Sequence, residues 1–256
     1  MSRLPEKLPS SVSVRDLTVS YPVLNAKVRS VTADAPDTPK AGWGRIVAGR
    51  HAHVVAIDGI TFDVGEGERV AILGRNGAGK STLLQTLGGL VSPNAGSVDI
   101  QGEVFGVFNL KQGLKLEATG RRNILLRGLI LGKSKAEIDD KMEEIAAFSE
   151  LGDYLDLPLT TYSSGMIIRL MFSVVAAFDP DVLILDEWIG AVDAPFKQKA
   201  LDWVIKYTER NRIFILSSHN LGFVKKSCTR GIILDNGRIV EDGPVATVLK
   251  TYKATY

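Results

Sequence analysis

GRNGAGKS, residues 74–81, decides the fold. The octet fits the pattern G-x-x-x-x-G-K-[ST], and it lies between the β-prone run RVAIL (69–73) and a helix expected over Ser81 to Leu87. Strand, glycine-rich loop and helix in that order is the context the pattern requires. Glycines let successive backbone N–H groups turn inward around phosphate oxygens, and the helix start adds the positive end of its dipole. Lys80 supplies a point charge to the β- and γ-phosphates, and the Ser81 hydroxyl suits Mg²⁺. A chance match in a chain this long has odds of roughly one in a hundred. Gly74, Arg75, Asn76, Gly77, Ala78, Gly79, Lys80, Ser81 and Thr82 therefore form a candidate nucleoside triphosphate site.

VLILDE (182–187) supplies the complementary half. Its continuous apolar run reads as a strand buried on both faces of a parallel sheet. Asp186 ends that strand, where a carboxylate holds Mg²⁺ directly or through water. Glu187 follows, placed to orient and deprotonate an attacking water. Between the two halves lies TYSSGMIIRL (161–170), in which Ser163, Ser164 and Gly165 precede an amphipathic run. They read as a polar helix N-terminus, which is either a second, lysine-free anion-binding surface or a simple N-cap.

The rest of the chain fits an α/β protein. Val12 to Tyr21 and Val54 to Val64 read as strands, and the glycine-flanked GEGE (65–68) as a hairpin turn into RVAIL. SVDI (97–100) starts another strand, and about 117–178 is mostly helical, with Ser134 and Glu137 spaced as a capping box. A helix (about 195–210), a strand (Ile213 to Ser217), a short helix, a strand (Gly231 to Leu234), an Asn236-Gly237 hairpin turn and a last helix follow. This order predicts a parallel second half and an antiparallel first half. Residues 22 to about 53 lose periodicity and collect prolines and glycines, an unusually long loop for a compact domain.

Composition narrows the function classes. With 31 basic and 29 acidic side chains the net charge is +2, so the bulk charge does not call for nucleic acid. The single cysteine, Cys228, excludes an internal disulfide, fits a reducing compartment and reads as filler near a helix end. The N-terminus lacks an apolar signal core, and the best apolar run, Leu170 to Phe178, falls short of the ~20 residues that cross a bilayer. Work at a membrane would require a separate partner to cross it.

Five motifs in order carry a resemblance: GRNGAGKS, YSSGM (162–166), LILDE (183–187), Asp193 in GAVDA (190–194) and His219 in SSHN (217–220). Together they resemble an ABC transporter nucleotide-binding subunit. YSSGM stands where that superfamily more often has leucine-serine-glycine-glycine-glutamine. With GRNGAGKSTLL ahead of it and TGRRN (119–123) between, the variant is similar to ATPase subunits of bacterial polysaccharide exporters serving O-antigen, capsule, teichoic acid and mycobacterial galactan. The resemblance covers about residues 10–245.

That resemblance implies a head-to-tail homodimer, each ATP lying between one phosphate loop and the other subunit's signature. Ser163 and Gly165 would then touch the γ-phosphate of the opposite site, and Asp193 would lie in the loop running between the sites. His219 would contact the γ-phosphate and the water, making Glu187, His219 and Lys80 the catalytic set and Ser81 and Asp186 the metal ligands. Tyr21 matches the adenine-stacking aromatic, with Trp43 of the 22–53 segment as another ring; His51 and His53 read as loop residues. The chain departs from the superfamily at its glutamine loop, where the expected position falls on Leu110, with Asn109 before it and Gln112 after, leaving the metal-sensing role unassigned and Asn109 as a candidate. Lys111, Lys115, Arg121, Arg122 and Arg127 face only Glu117 within 111–127. That is a solvated face, or an edge turned to the membrane partner and anionic headgroups, worth about 1 kcal/mol per basic residue.

The expectation is a single nucleotide-binding domain over 1–256, of P-loop α/β class. It has a RecA-like core, an N-terminal antiparallel β portion, a helical lobe at about 105–178 and no room for a C-terminal carbohydrate-binding module. The expected function is Mg·ATP hydrolysis at the cytoplasmic face of the inner membrane, driving export of a lipid-linked polysaccharide through a multi-spanning permease. The alternatives are another ABC transporter ATPase, importer or drug and lipid exporter, or a soluble ABC ATPase. The latter would carry a coiled-coil insertion or a second ATPase domain.

Overall fold

Alternation in SVSVRDLTVSYP buries Val12, Val14, Leu17 and Val19 and leaves the intervening side chains wetter, the period-2 signature of a strand with one covered face. This is β1 (Ser11–Pro22) in a computed structural model that describes residues 9–22, 45–47, 53–108, 113–187 and 192–255. Trp43, His51, Asn109, Leu110, Lys111 and most of the 22–53 segment lie outside the described residues.

By internal contacts the chain forms two units. The first comprises residues 1–106, 181–186 and 211–256 and holds both sheets. β1 pairs antiparallel with β3 (His53–Gly65) and β5 (Ala95–Gln101), and β3 also with β2 (Arg45–Val47). A six-stranded sheet contains β4 (Arg69–Leu73), β6 (Val104–Val107), β7 (Val182–Asp186), β8 (Ile213–Ser217), β9 (Arg230–Asp235) and β10 (Arg238–Pro244). Its order is β10-β9-β4-β8-β7-β6, with β4, β7, β8 and β9 parallel. Those four strands are almost wholly apolar and buried, as a parallel sheet covered on both faces demands.

One expectation changes here. GEGE makes a turn, with Glu68 N–H donating to Gly65 O (3.0 Å) and Gly65 N–H to the Glu68 carboxylate (2.6 Å), yet the strands it joins do not pair with each other. β3 stays in the antiparallel sheet while β4 enters the parallel one, so the turn is a crossing between sheets rather than a hairpin. Residues 104–107 form β6, ahead of the helices, the first of which begins at Gly120 against an expected start near 117. The Asn236-Gly237 turn does join an antiparallel hairpin, β9–β10, with both residues at positive φ (48° and 77°).

The phosphate-loop helix α1 (Lys80–Leu87) and two C-terminal helices, α6 (Leu221–Ser227) and α7 (Val245–Thr255), complete the first unit. Cys228 caps the end of α6 and is buried, which pushes its thiol up to about 12 and makes it inert packing.

The second unit, residues 107–180 and 187–210, is helical. It contains α2 (Gly120–Ile130), α3 (Lys135–Ser149), α4 (Ser164–Phe178) and α5 (Ala194–Thr208), with short 3₁₀ turns at Gly152–Asp156 and Leu159–Thr161. Ser134 and Glu137 close the capping box at the start of α3. Asn123 is fully buried, and its amide donates to the Lys115, Ala118 and Thr119 carbonyls and accepts from Lys115 N–H (2.9–3.1 Å), binding the entry loop to α2. Phe148, Phe172, Phe196, Trp203 and Tyr207 pack ring against ring at centroid distances of 5.4–6.4 Å and fill the space between α3, α4 and α5.

Candidate functional site

The phosphate loop leaves β4 at Leu73 and enters α1 at Lys80. Its conformation requires glycine at residue 79, whose φ is +104° and whose absent Cβ would lie 2.4 Å from the Ala56 carbonyl oxygen. Lys80 is 8% exposed, and its ammonium donates to Gly74 O (2.9 Å) and Arg75 O (3.1 Å), two carbonyls of the loop itself. Chain beyond the last catalytic motif braces the loop from outside. Gly237 N–H donates to Ala78 O (3.1 Å), and the Tyr252 hydroxyl of α7 donates to Gly74 O (3.4 Å). Ser81 faces solvent at the mouth of the helix.

Strand register brings the remaining groups of the first unit to the same edge. Ile72 of β4 pairs with Ser217 of β8, and Ser217 pairs with Asp186 of β7, so the three stand in one row across three parallel strands. The phosphate loop begins two residues beyond Ile72, and His219, exposed, stands two beyond Ser217. Carboxyl ends of parallel strands are where open α/β sheets bind ligands. Asp186 Oδ1 and Ser217 Oγ are both buried there without a hydrogen-bond partner among the described residues. Ser217 is the residue that sequence reasoning missed. Its signal was a lone hydroxyl closing the apolar run IFILS (213–217).

Glu187 is exposed, with φ +44°, a left-handed backbone that costs a non-glycine residue about 1–2 kcal/mol and collects at functional sites. A bound Mg²⁺ fits the donor set. The unpartnered Asp186 Oδ1 and the exposed Ser81 hydroxyl are hard oxygen ligands, and Mg²⁺ takes one or two of these beside phosphates. Among the described residues no cluster of three or more His, Cys, Asp and Glu offers a cage made by protein alone.

Tyr21 is 41% exposed near the end of β1, opposite Val54. His53 opens β3. Ser163, Gly165 and Asp193 belong to the second unit. Ser163 caps α4, its oxygen accepting Met166 N–H (3.2 Å); an accepting hydroxyl still carries a proton to donate. Asp193 occupies the N-cap position of α5 but makes no side-chain capping bond; its carboxylate pairs with Arg169 at 3.6 Å. Arg121 is not simply a solvated or headgroup-facing charge, because Glu143 (3.3 Å) and Asp156 (3.1 Å) of its own unit engage it. Among the described residues no helix is long and apolar enough to cross a membrane.

Comparison with known proteins agrees with this geometry. The ABC transporter family matches residues 57–190, just over half the chain. An O-antigen export system ATP-binding protein, RfbE of Yersinia enterocolitica, is 38% identical over 91% of this chain and 98% of its own length. A second, RfbB of Klebsiella pneumoniae, is 37% identical over 94% and 97%. A dimeric ATP-binding cassette solved in a post-hydrolysis state with ADP and Pi superposes with a TM-score of 0.69 at 19% identity, covering 91% of this chain and 98% of that one.

Proposed function

The chain belongs to the ABC transporter family, and we propose that it is the ATP-hydrolysing subunit driving export of a lipid-linked polysaccharide through a separate transmembrane subunit. The observation that supports the reading is the row Ile72, Ser217, Asp186 of the first unit, from whose edge the phosphate loop and His219 follow two residues on, with Glu187 next after Asp186 in the chain. The O-antigen export names of relatives aligned along nearly their whole length support the choice of polysaccharide.

In this reading the N–H groups of residues 74–82 cradle the phosphates, and Lys80 exchanges the Gly74 and Arg75 carbonyls for phosphate oxygens. Ser81 and Asp186 hold Mg²⁺, which when bound supplies charge neutralisation at the β- and γ-phosphates. Glu187 accepts the proton of the attacking water as its oxygen bonds to the γ-phosphorus and the bridging oxygen departs with ADP. His219 orients that water and, with Lys80, balances charge on the phosphoryl group in transfer. Ser163 and Gly165 of a second copy close over the γ-phosphate, Asp193 lies between the two sites, and Tyr21 stacks on adenine. The ATPase sits peripherally on the cytoplasmic side of the membrane as a homodimer bound to its permease.

Glu187→Gln tests the core of this. The variant keeps ATP binding and accumulates an ATP-bound dimer, measured by size-exclusion chromatography with light scattering, while turnover drops by orders of magnitude. Wild-type turnover in that variant removes Glu187 as the base; ATP-bound protein that stays a single copy removes the two-copy site. Recovery of the tagged chain with a multi-spanning membrane protein from detergent extract tests the transporter assignment.

A further inference from the structure

Arg169 joins three elements of the second unit. It stands on α4 six residues after Ser163, and its side chain is only 17% exposed. Its Nε donates to Ser149 O (3.1 Å) and its Nη2 to Glu150 Oε2 (2.9 Å), at the end of α3. Nη1 reaches the Asp193 carboxylate (3.6 Å), and the guanidinium carbon lies over the ring of Phe196, 4.8 Å from its centroid, in the first turn of α5. A planar fork with donors on several edges and a stacking face makes all four contacts at once; a lysine does not.

The receiving groups are arranged for it. An Asp at an N-cap ordinarily accepts a backbone N–H from the second or third helical residue. Here the second is Pro195, which has no N–H, and Asp193 makes no side-chain capping bond, so its carboxylate turns to Arg169 instead. Glu150 is held in a left-handed conformation (φ 54°), and its other oxygen takes Lys199 at 2.6 Å.

We propose that Arg169 is a positioning residue that locks Asp193 to the signature helix, so that the γ-phosphate contacts at Ser163 and Gly165 and the loop between the two sites move together. The proposal rests on the two-copy reading above. In that reading Arg169 is not one of the nucleotide contacts. Its loss leaves the phosphate loop of the first unit able to bind ATP but slows the turnover that needs both copies aligned.

A double-mutant cycle in the full-length chain tests this, with kcat, KM, affinity for a fluorescent ATP analogue and thermal midpoint measured for each variant. Residues in direct contact couple by factors of roughly two to a hundred. Arg169→Met, which keeps the stem over Phe196, should lower kcat about tenfold with ATP affinity within about twofold, and Asp193→Asn should do the same. The double variant should be no slower than the worse single. Arg169→Lys should recover part of the rate, and it replaces Arg169→Met in the cycle if the latter does not fold. Glu150→Gln, which breaks only the α3 side of the network, should lower the thermal midpoint while kcat stays within about twofold. Losses that multiply in the double variant, or an equal loss of kcat in Glu150→Gln, reduce Arg169 to a structural ion pair and overturn the proposal. Glu187→Gln run alongside separates the causes. No ATP-trapped dimer sinks the two-copy reading and this proposal with it, whereas a trapped dimer with multiplying losses sinks this proposal alone.

Discussion

Replacing Gly79 by alanine should damage the nucleotide site through two effects that a second variant separates. At φ +104° an L-residue carries a backbone penalty of about 1–2 kcal/mol. The new Cβ would also lie 2.4 Å from the Ala56 carbonyl oxygen and 2.9 Å from Ile57 Cδ1. The Ile57 methyl can rotate away. The Ala56 carbonyl belongs to β3, which is paired along its length with β1, so the phosphate loop must give way by about 1 Å, an overpacking cost of about 1–3 kcal/mol. The sum is about 2–5 kcal/mol. Gly59→Ala shares the positive φ (+64°) but has nothing within 4 Å of the added carbon, so it should lose only about 1 kcal/mol. With a urea slope of about 3 kcal/mol/M, the midpoints fall by about 1 M for Gly79→Ala and about 0.3 M for Gly59→Ala. Only Gly79→Ala moves the N–H groups of the loop, so fluorescent ATP should bind it at least tenfold more weakly and bind Gly59→Ala normally. Equal midpoint shifts with unaltered ATP affinity in both variants would show that contact with β3 does not set the loop, and the reasoning would fail.

Two further outcomes follow from ionisation. The Cys228 thiol, pushed up to about 12 by burial, is about 10⁻⁴ ionised at pH 8, where an unperturbed thiol is roughly a quarter ionised. Ellman's reagent should therefore react with native protein over a thousandfold more slowly than with unfolded chain, and rapid titration without denaturant would contradict the packing at the end of α6. Lys199, and after it Arg169, hold the Glu150 carboxyl below the ordinary carboxylate range. A depressed folded value means a contribution fully present above the unfolded value, about 4.3, and lost as pH falls through the folded one. Urea midpoints of the wild type should thus fall more steeply than those of Glu150→Gln between about pH 5 and 3, and parallel curves would remove the pair from the acid response.

What the sequence disclosed was what local spacing carries. The phosphate loop, the LILDE strand end, the Ser134–Glu137 capping box and the Asn236-Gly237 turn each fit within a dozen residues, and each is formed. What it concealed depends on partners far along the chain. GEGE has sound turn chemistry, but whether its strands pair with each other depends on β1 and β8, neither of which the turn can specify. Arg121 looked like part of an open basic run because its acids lie 22 and 35 residues away. Asn123 looked like one more polar residue of TGRRN, yet it is fully buried and holds the entry loop. Asp193 was legible as a loop residue of interest, but its tie to Arg169 needs α4 and α5 side by side.

The energetics of the sheet edge argue for the site independently of any motif. Buried hydroxyls on helices are satisfied within their own helices: Thr86 donates to Thr82 O, Ser173 to Arg169 O, and Ser227 to Phe223 O. A strand end has no such carbonyl four residues back. Asp186 Oδ1 and Ser217 Oγ, neighbours across β7 and β8, are buried and unpartnered among the described residues, each at a cost of about 1–3 kcal/mol. Lys80, nearly buried, donates to the Gly74 and Arg75 carbonyls at the same edge, and phosphate oxygens are stronger acceptors than carbonyls. Two buried, unpartnered oxygens thus stand side by side at this edge, and a triphosphate with its cation suits the groups there: phosphate oxygens for the ammonium and a hard ion for the carboxylate. Because that match exists only in the folded chain, binding returns stability as the logarithm of ligand concentration over its dissociation constant. The same groups whose burial costs the fold stability at this edge therefore make it a place where ATP binding has stability to return.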